Sequence, residues 1–439
     1  MSIESVPGTD LAYYLIAFDE QGRERTDDPG GLMSRRLTQV LATDPVTDVF
    51  LISHGWKGDL PAAKDQYTRW IACMAQCGDD IAQFRELRPG FRVLLVGLHW
   101  PSLPWGDEEF GSMAVSFAVP AAFPLEELVD KYARRLASSP AARTALATIF
   151  EAAQQDTAPE HLPPQVRDAY LVLDREASLG NAGVGGAPGA DREPFDPERV
   201  YQDALDESPS FGEIDLGGLL SPLRQLSFWK MKDRARCFGE FSGHKLLGDL
   251  QRASVDRHVR FHLMGHSFGC IVVSAALAGP NGEGTLVRPV DSVALVQGAL
   301  SHWSYCSDIP VAHGRRGYFH SLVSGHKVAG PIITTQSQFD TAVGRFYPLG
   351  AGARQQVSFV PGEYPKYGAL GTFGARGPGV DPVDLTMQSA SVAYRFEPGR
   401  IYNLEGSHVI REGGGASGAH SDIVHPEVAH AMWEAARVS

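Results

Sequence analysis

Unbroken apolar runs of four to eight residues, each closed by a glycine or a polar residue, alternate along most of the chain with segments whose apolar positions recur at helical spacing. The first run, LAYYLIAF at 11–18, reads as a strand, and DEQG at 19–22 as a turn into a short polar return at a sheet edge. Leu32, Met33, Leu37, Val40 and Leu41 predict a helix over 31–42. Val49–Ile52 is a second strand, buried on both faces because no polar residue interrupts it, and it ends in His54-Gly55-Trp56. A helix over 62–84 and a strand over 91–102 repeat the unit. Strand, helix, strand, helix implies parallel pairing.

After Trp100 the alternation stops for about 130 residues. Helical patterns fall near 124–138, 140–155 and 163–177, and 178–198 is rich in Gly and Pro with little to bury, so a flexible loop is expected there. At 221–241, Leu223, Leu226, Phe228, Trp229 and Met231 give a strong apolar side. The pattern then returns with VRFHLMGHSFGCIVVSAALAG at 259–279, a strand, a glycine-pinched corner and an apolar helix. Further strands are expected at 291–301, 331–340 and 400–407, and a helix from Pro426. Residues 341–399 read as irregular. The expected fold is α/β, a mostly parallel central sheet flanked by helices, with core parts at 1–106 and 221–439 and a helical insertion or cap at 107–220.

Composition narrows the function classes. With 439 residues, 43% of them hydrophobic, core burial is no obstacle, and a net charge of −13 argues against nucleic acid or an anionic membrane surface as partner. No apolar run reaches the ~20 residues of a membrane span; the nearest, 113–125, is short and broken by prolines. The first ten residues lack the basic and apolar regions of a secretory signal, and the five cysteines fit reduced thiols, so a cytoplasmic location is expected. Cys73 and Cys77 stand four apart on a helix with no second ligand pair at zinc spacing, and read as structural thiols.

The chemistry centres on Ser267. Gly265 and Gly269 let strand and helix approach closely around it, and the following helix points its unpaired amides at whatever negative charge develops above the serine. A serine hydroxyl is a poor nucleophile until an imidazole takes its proton and a carboxylate holds that imidazole's tautomer. Asp340, directly after the strand at 331–335, and His420, between the last strand and the last helix, supply both. Asp308 is the competing acid, and His408 and His425 the competing bases. The amides of Phe268 and Trp56 are candidate donors to a tetrahedral oxyanion, and the Trp56 indole a candidate wall for an acyl group. His54, His99, His262 and His266 sit on or beside core strands and read as structural. His420, Asp422 and His425 also spell a possible metal cluster, but no metal is needed to account for the histidine in this segment.

HGW at 54–56, GHSFG at 265–269, SQFD at 337–340 and GAHSDI at 418–423, in that order, make the chain similar to the α/β-hydrolase superfamily. The resemblance implies a serine hydrolase without cofactor or metal, acting on a small-molecule acyl ester through an acyl-enzyme. The insertion departs from many relatives, whose cap lies later, between the strands ending near Ser301 and Gln336. Substrate class is not carried over: a thioesterase or an acyltransferase uses the same residues, and a non-catalytic scaffold on this fold is the alternative of a different kind.

Overall fold

The computed structural model describes residues 3–26, 31–56, 60–102, 124–155, 159–207, 218–346, 364–414 and 417–438. Their strands are β1 (Ile3–Ser5), β2 (Ala12–Ala17), β3 (Asp48–Ser53), β4 (Val93–His99), β5 (Arg260–His266), β6 (Ser292–Val296), β7 (Ile332–Gln336), β8 (Val383–Thr386) and β9 (Ile401–Glu405). They form one nine-stranded sheet in the order β1-β2-β4-β3-β5-β6-β7-β9-β8. Only β1 runs antiparallel to its neighbour. The strand before Ser267, β5, is therefore central.

Strand geometry sends successive side chains to opposite faces. Val49 and Leu51 of β3, with Leu263 of β5, face one apolar layer, which contains α1 (Met33–Thr43), α8 (Ser221–Phe238), α9 (His244–Ala253) and α10 (Gly269–Ala278). Phe50, Ile52 and Met264 face the other, which contains α2 (Leu60–Gln76), α3 (Gly78–Leu87) and the C-terminal helix Pro426–Arg437. Two-sided burial explains why these strands read as continuous apolar runs rather than alternating ones. Trp70 and Trp229, one in each layer, are fully buried. Each such ring removes about 150–250 Å² from water, worth on the order of 4–6 kcal/mol.

The insertion supplies a third apolar cluster, built from α4 (Leu125–Arg135), α5 (Pro140–Gln155), α6 (Pro164–Ala177), Tyr201 of α7 (Pro197–Glu207) and the first turns of α8. Helix α8 belongs to two cores, since Leu223 and Leu226 pack in this cluster and Trp229 and Met231 in the sheet layer. Residues 107–123 and 208–217 of the insertion, and with them nearly all of the apolar run at 113–125, lie outside the described residues.

Three expectations need correcting, and one strand, β1, was not expected. The helix expected over 62–84 is two helices, α2 and α3: Cys77 leaves helical geometry (φ −76°, ψ 65°), Gly78 weakens continuation, and Asp79 and Asp80 suit a fresh helix N-terminus. The Gly/Pro-rich stretch at 178–198, expected to have little to bury, packs closely. Val184, Asp191 and Arg192 are buried, Arg192 pairs with Asp174 at 2.5 Å, and the Gly185 amide donates to Asp191. Charge pairing holds this segment where apolar content is low. β1 was hidden by its brevity and polarity, and β8 by its surroundings; within 341–399, of which 347–363 lie outside the described residues, β8 is a half-exposed strand on the sheet edge.

Candidate active site

Ser267 follows β5 with φ +56°, a left-handed backbone that costs a residue with a Cβ about 1–3 kcal/mol. Its surroundings over-determine that conformation. The Ser267 amide donates to Val296 O (3.1 Å), and its carbonyl accepts from the amides of Ala299 (3.2 Å) and Cys270 (3.1 Å). The flanking glycines are required by contact: a Cβ on Gly265 would lie 2.5 Å from Gly269 backbone, and one on Gly269 2.2 Å from Ser53 O. The chain thus reverses sharply from β5 into α10 and leaves the hydroxyl at the floor of a cavity of about 400 Å³.

His420 reaches that hydroxyl from the loop before the C-terminal helix. Ser267 Oγ is 2.7 Å from His420 Nε2, and His420 Nδ1 is 2.7 Å from Asp340 Oδ2. A carboxylate only accepts, so Nδ1 carries the proton and donates to Asp340, which leaves the Nε2 lone pair to accept from the serine hydroxyl. Asp340 is buried. Gln297 Nε2 donates to Asp340 Oδ2 at 2.9 Å and the Val343 amide to Oδ1 at 3.2 Å, so both oxygens are engaged by donors that fix the carboxylate's orientation.

Residues to which the sequence reading gave no catalytic role hold this arrangement. Gln297, directly after β6, is itself in left-handed backbone (φ +45°), and its Oε1 accepts from Thr335 Oγ1 at 2.9 Å. His266 donates from Nε2 to the backbone carbonyl of His420 (2.9 Å) and accepts at Nδ1 from Gln66 Nε2 of α2 (3.1 Å). Burial, then the neighbouring His420, push its pKa down to about 3, so it stays neutral. His266 is therefore structural, as its place beside a strand suggests, but what it positions is the loop that carries His420. Only its position next to Ser267 hinted at this, and for Gln297 the one hint was its place at a strand end.

The His54-Gly55-Trp56 loop lies against the serine. A Cβ on Gly55 would come within 2.7 Å of Ser267 Cβ. The loop is pinned by the His54 amide donating to Tyr67 Oη (2.8 Å) and by Trp100 Nε1 donating to His54 O (3.1 Å). His54 is buried, its ring joined to His99 at 3.1 Å and its pKa pushed down to about 3 by burial and by His99. Neither the Trp56 nor the Phe268 amide has a hydrogen-bond acceptor among the described residues. The Trp56 indole stacks on the Phe268 ring (centroids 5.5 Å apart, 11° between planes) and lines the cavity.

The competing residues are placed elsewhere. Asp308 accepts from His313 (3.0 Å) and the Gly314 amide (2.7 Å) in an exposed turn. His408 is exposed, and His425 is 2.7 Å from Asp422, whose other oxygen accepts the Arg411 and Glu412 amides. With both His420 nitrogens committed, the His420, Asp422, His425 set offers no converging lone pairs to a cation. A different grouping, Asp80, His430 and Glu434, brings ligand atoms within 4.8 Å of one another, but His430 donates from both nitrogens, to Asp80 (2.9 Å) and to Val392 O (3.0 Å). Cys73 and Cys77 are buried, and the Cys77 thiol is pushed up to about 12, chiefly by burial. Among the described residues, no helix is long and apolar enough to cross a membrane.

Compared with known protein families, with curated proteins and with solved structures, the chain matches none.

Proposed function

We propose that this protein is a serine hydrolase of the α/β-hydrolase kind, cleaving a carboxylic ester through an acyl-enzyme. The observation that carries the reading is the hydrogen-bonded series Asp340, His420, Ser267, which ends at a serine hydroxyl open to a cavity. Ser267 Oγ attacks the ester carbonyl carbon while its proton passes to His420 Nε2, and the ionised Asp340 stabilises the resulting imidazolium. The carbonyl oxygen, now negative, receives the Phe268 and Trp56 amides. The proton on His420 then goes to the alcohol oxygen as the carbon–oxygen bond breaks. Water, deprotonated by His420, attacks the acyl-serine, and the acid leaves with Ser267 restored. No step calls on a cofactor.

A fluorophosphonate reacts with an activated serine, and it tests the reading directly. Wild-type protein should be labelled at Ser267, and Ser267→Ala should lose both labelling and ester turnover with little change in melting temperature, because the hydroxyl fills almost no volume. Asp340→Asn should lower turnover by several orders of magnitude by reversing the histidine tautomer, whereas Asp308→Asn should stay within a factor of about two. Full turnover by Ser267→Ala would end the proposal.

A further inference from the structure

The cavity above Ser267 has two kinds of wall, and they stand at the two ends of the chemistry. One is aromatic. Phe228 of α8 meets the Phe268 ring (centroids 5.3 Å apart, 60° between planes) and the Trp56 ring (5.9 Å, 68°), edge-on to the stacked pair they form. Trp56 and Phe228 are only half-buried, so apolar ring surface remains open to the cavity. The other wall is polar along α2. Asp65, Gln66 and Arg69 lie on one side of that helix and line the same cavity, and the His420 loop adds Ser417 and Ser421 beside the apolar Ile423 and Val424.

Resting on the hydrolase reading above, we propose that the substrate is an amphiphilic ester, with an apolar acyl group on Trp56, Phe228 and Phe268 and a hydroxyl-rich alcohol against α2. The assignment follows from where the reacting atoms must lie. The acyl carbonyl oxygen has to reach the Phe268 and Trp56 amides, whose own side chains are the aromatic wall. The departing alcohol oxygen has to take its proton from His420 Nε2, and the His420 loop is tied to α2 through His266 and Gln66. The alcohol side therefore meets the polar wall.

The charges favour a neutral polyol over an ionic group. Arg69 donates from Nε (2.9 Å) and a terminal nitrogen (2.8 Å) to the same Asp65 oxygen. The pair has no net charge, and it keeps guanidinium donors beside a second carboxylate oxygen. Adjacent donors and acceptors of this sort match hydroxyl groups, each of which gives one hydrogen bond and accepts others.

The test measures kcat/KM for glycerol monoesters of acetyl to dodecanoyl chains, and for hexanoyl esters of glycerol and of 1-hexanol. The expected result is a rate that climbs about tenfold per added methylene over the first steps, in keeping with an apolar pocket, and a glycerol ester preferred at least about tenfold over the hexyl ester. Phe228→Ala should reorder the acyl series, and Phe228→Leu, which keeps most of the buried volume, should do so more weakly. Arg69→Ala, at an exposed position, should cut the glycerol preference and leave the acyl order alone. Fluorophosphonate labelling of the wild type separates the two levels of the argument. Labelled protein that prefers acetyl or hexyl esters overturns the substrate assignment alone, whereas protein that neither labels nor turns over any ester overturns the hydrolase reading and the assignment with it.

Discussion

Ser267 and Ser292 each stand one hydrogen bond from a histidine that in turn reaches an aspartate. Ser292 Oγ is 2.8 Å from His262 Nδ1, and His262 Nε2 is 3.1 Å from Asp48 Oδ1, a geometry close to that of Ser267, His420 and Asp340. The second trio is a core network: all three residues are buried, Asp48 is also paired with Arg88, and Ser292 does not line the cavity over Ser267. What sets Ser267 apart is its left-handed backbone, its open side, and a neighbouring loop that touches it. Gly55 makes that last contact possible. In Gly55→Ala the new methyl carbon would meet Ser267 Cβ, so the loop must back away and take the Trp56 amide with it. Loss of one oxyanion donor typically costs about 10²- to 10³-fold in turnover, and that fall is expected in kcat with the melting temperature changed far less. An unchanged kcat would place the Trp56 amide outside the chemistry.

Among the elements, the C-terminal helix does two jobs at once. Its start follows the His420 loop, and its body is clamped to α3 through His430, which donates to both oxygens of Asp80 at 2.9 Å and to Val392 O at 3.0 Å. Burial pulls the His430 pKa down, but the hydrogen bonds to Asp80 and Val392 and the negative charges of Asp80 and Glu434 outweigh it, and the result is raised. Glu434 in turn accepts from the Tyr394 amide and Arg437. A histidine whose folded pKa exceeds its unfolded value of about 6.5 contributes stability in full below that value and loses it as pH rises through the folded one. Urea unfolding from about pH 6 upward should therefore show stability falling more steeply in wild type than in His430→Gln, which cannot titrate. Equal slopes would mean that the clamp does not depend on the imidazolium.

For the whole molecule the question is how the insertion bears on the site. None of its described residues from 124 to 207 lines the cavity over Ser267. Its cluster reaches that cavity indirectly, through Trp56, which packs against it, and through α8, which carries Phe228. Replacing residues 107–216 by a short linker should leave fluorophosphonate labelling of Ser267 in place, since Asp340 and His420 are held by the sheet and its loops. The acyl preference should change by about tenfold or more as Trp56 and Phe228 lose their backing, while the preference among alcohols should stay. Unchanged acyl ranking would make the insertion a separate decoration.

The sequence by itself determined the α/β class, the strands within 49–52 and 91–102, the strand opening 259–279 and the turn at Ser267, because burial on both faces writes an apolar run and a sharp strand-to-helix corner demands glycine. It also narrowed the proposed acid and base to short lists of positions after strands. Local pattern carried no further, because it records what each residue needs and not what it meets. Asp308 and Asp340 both follow strands, yet only Asp340 lies 2.7 Å from an imidazole that reaches Ser267, and the choice rests on how two loops converge. The links of Gln297 to Asp340 and of His266 to His420 join residues 43 and 154 positions apart. β8, with alternate residues half-exposed, is specified less by its own side chains than by the open edge of β9 beside it. Hydrogen bonds of this reach exist only once the sheet has brought its strand ends together, and that is what the tertiary structure decided.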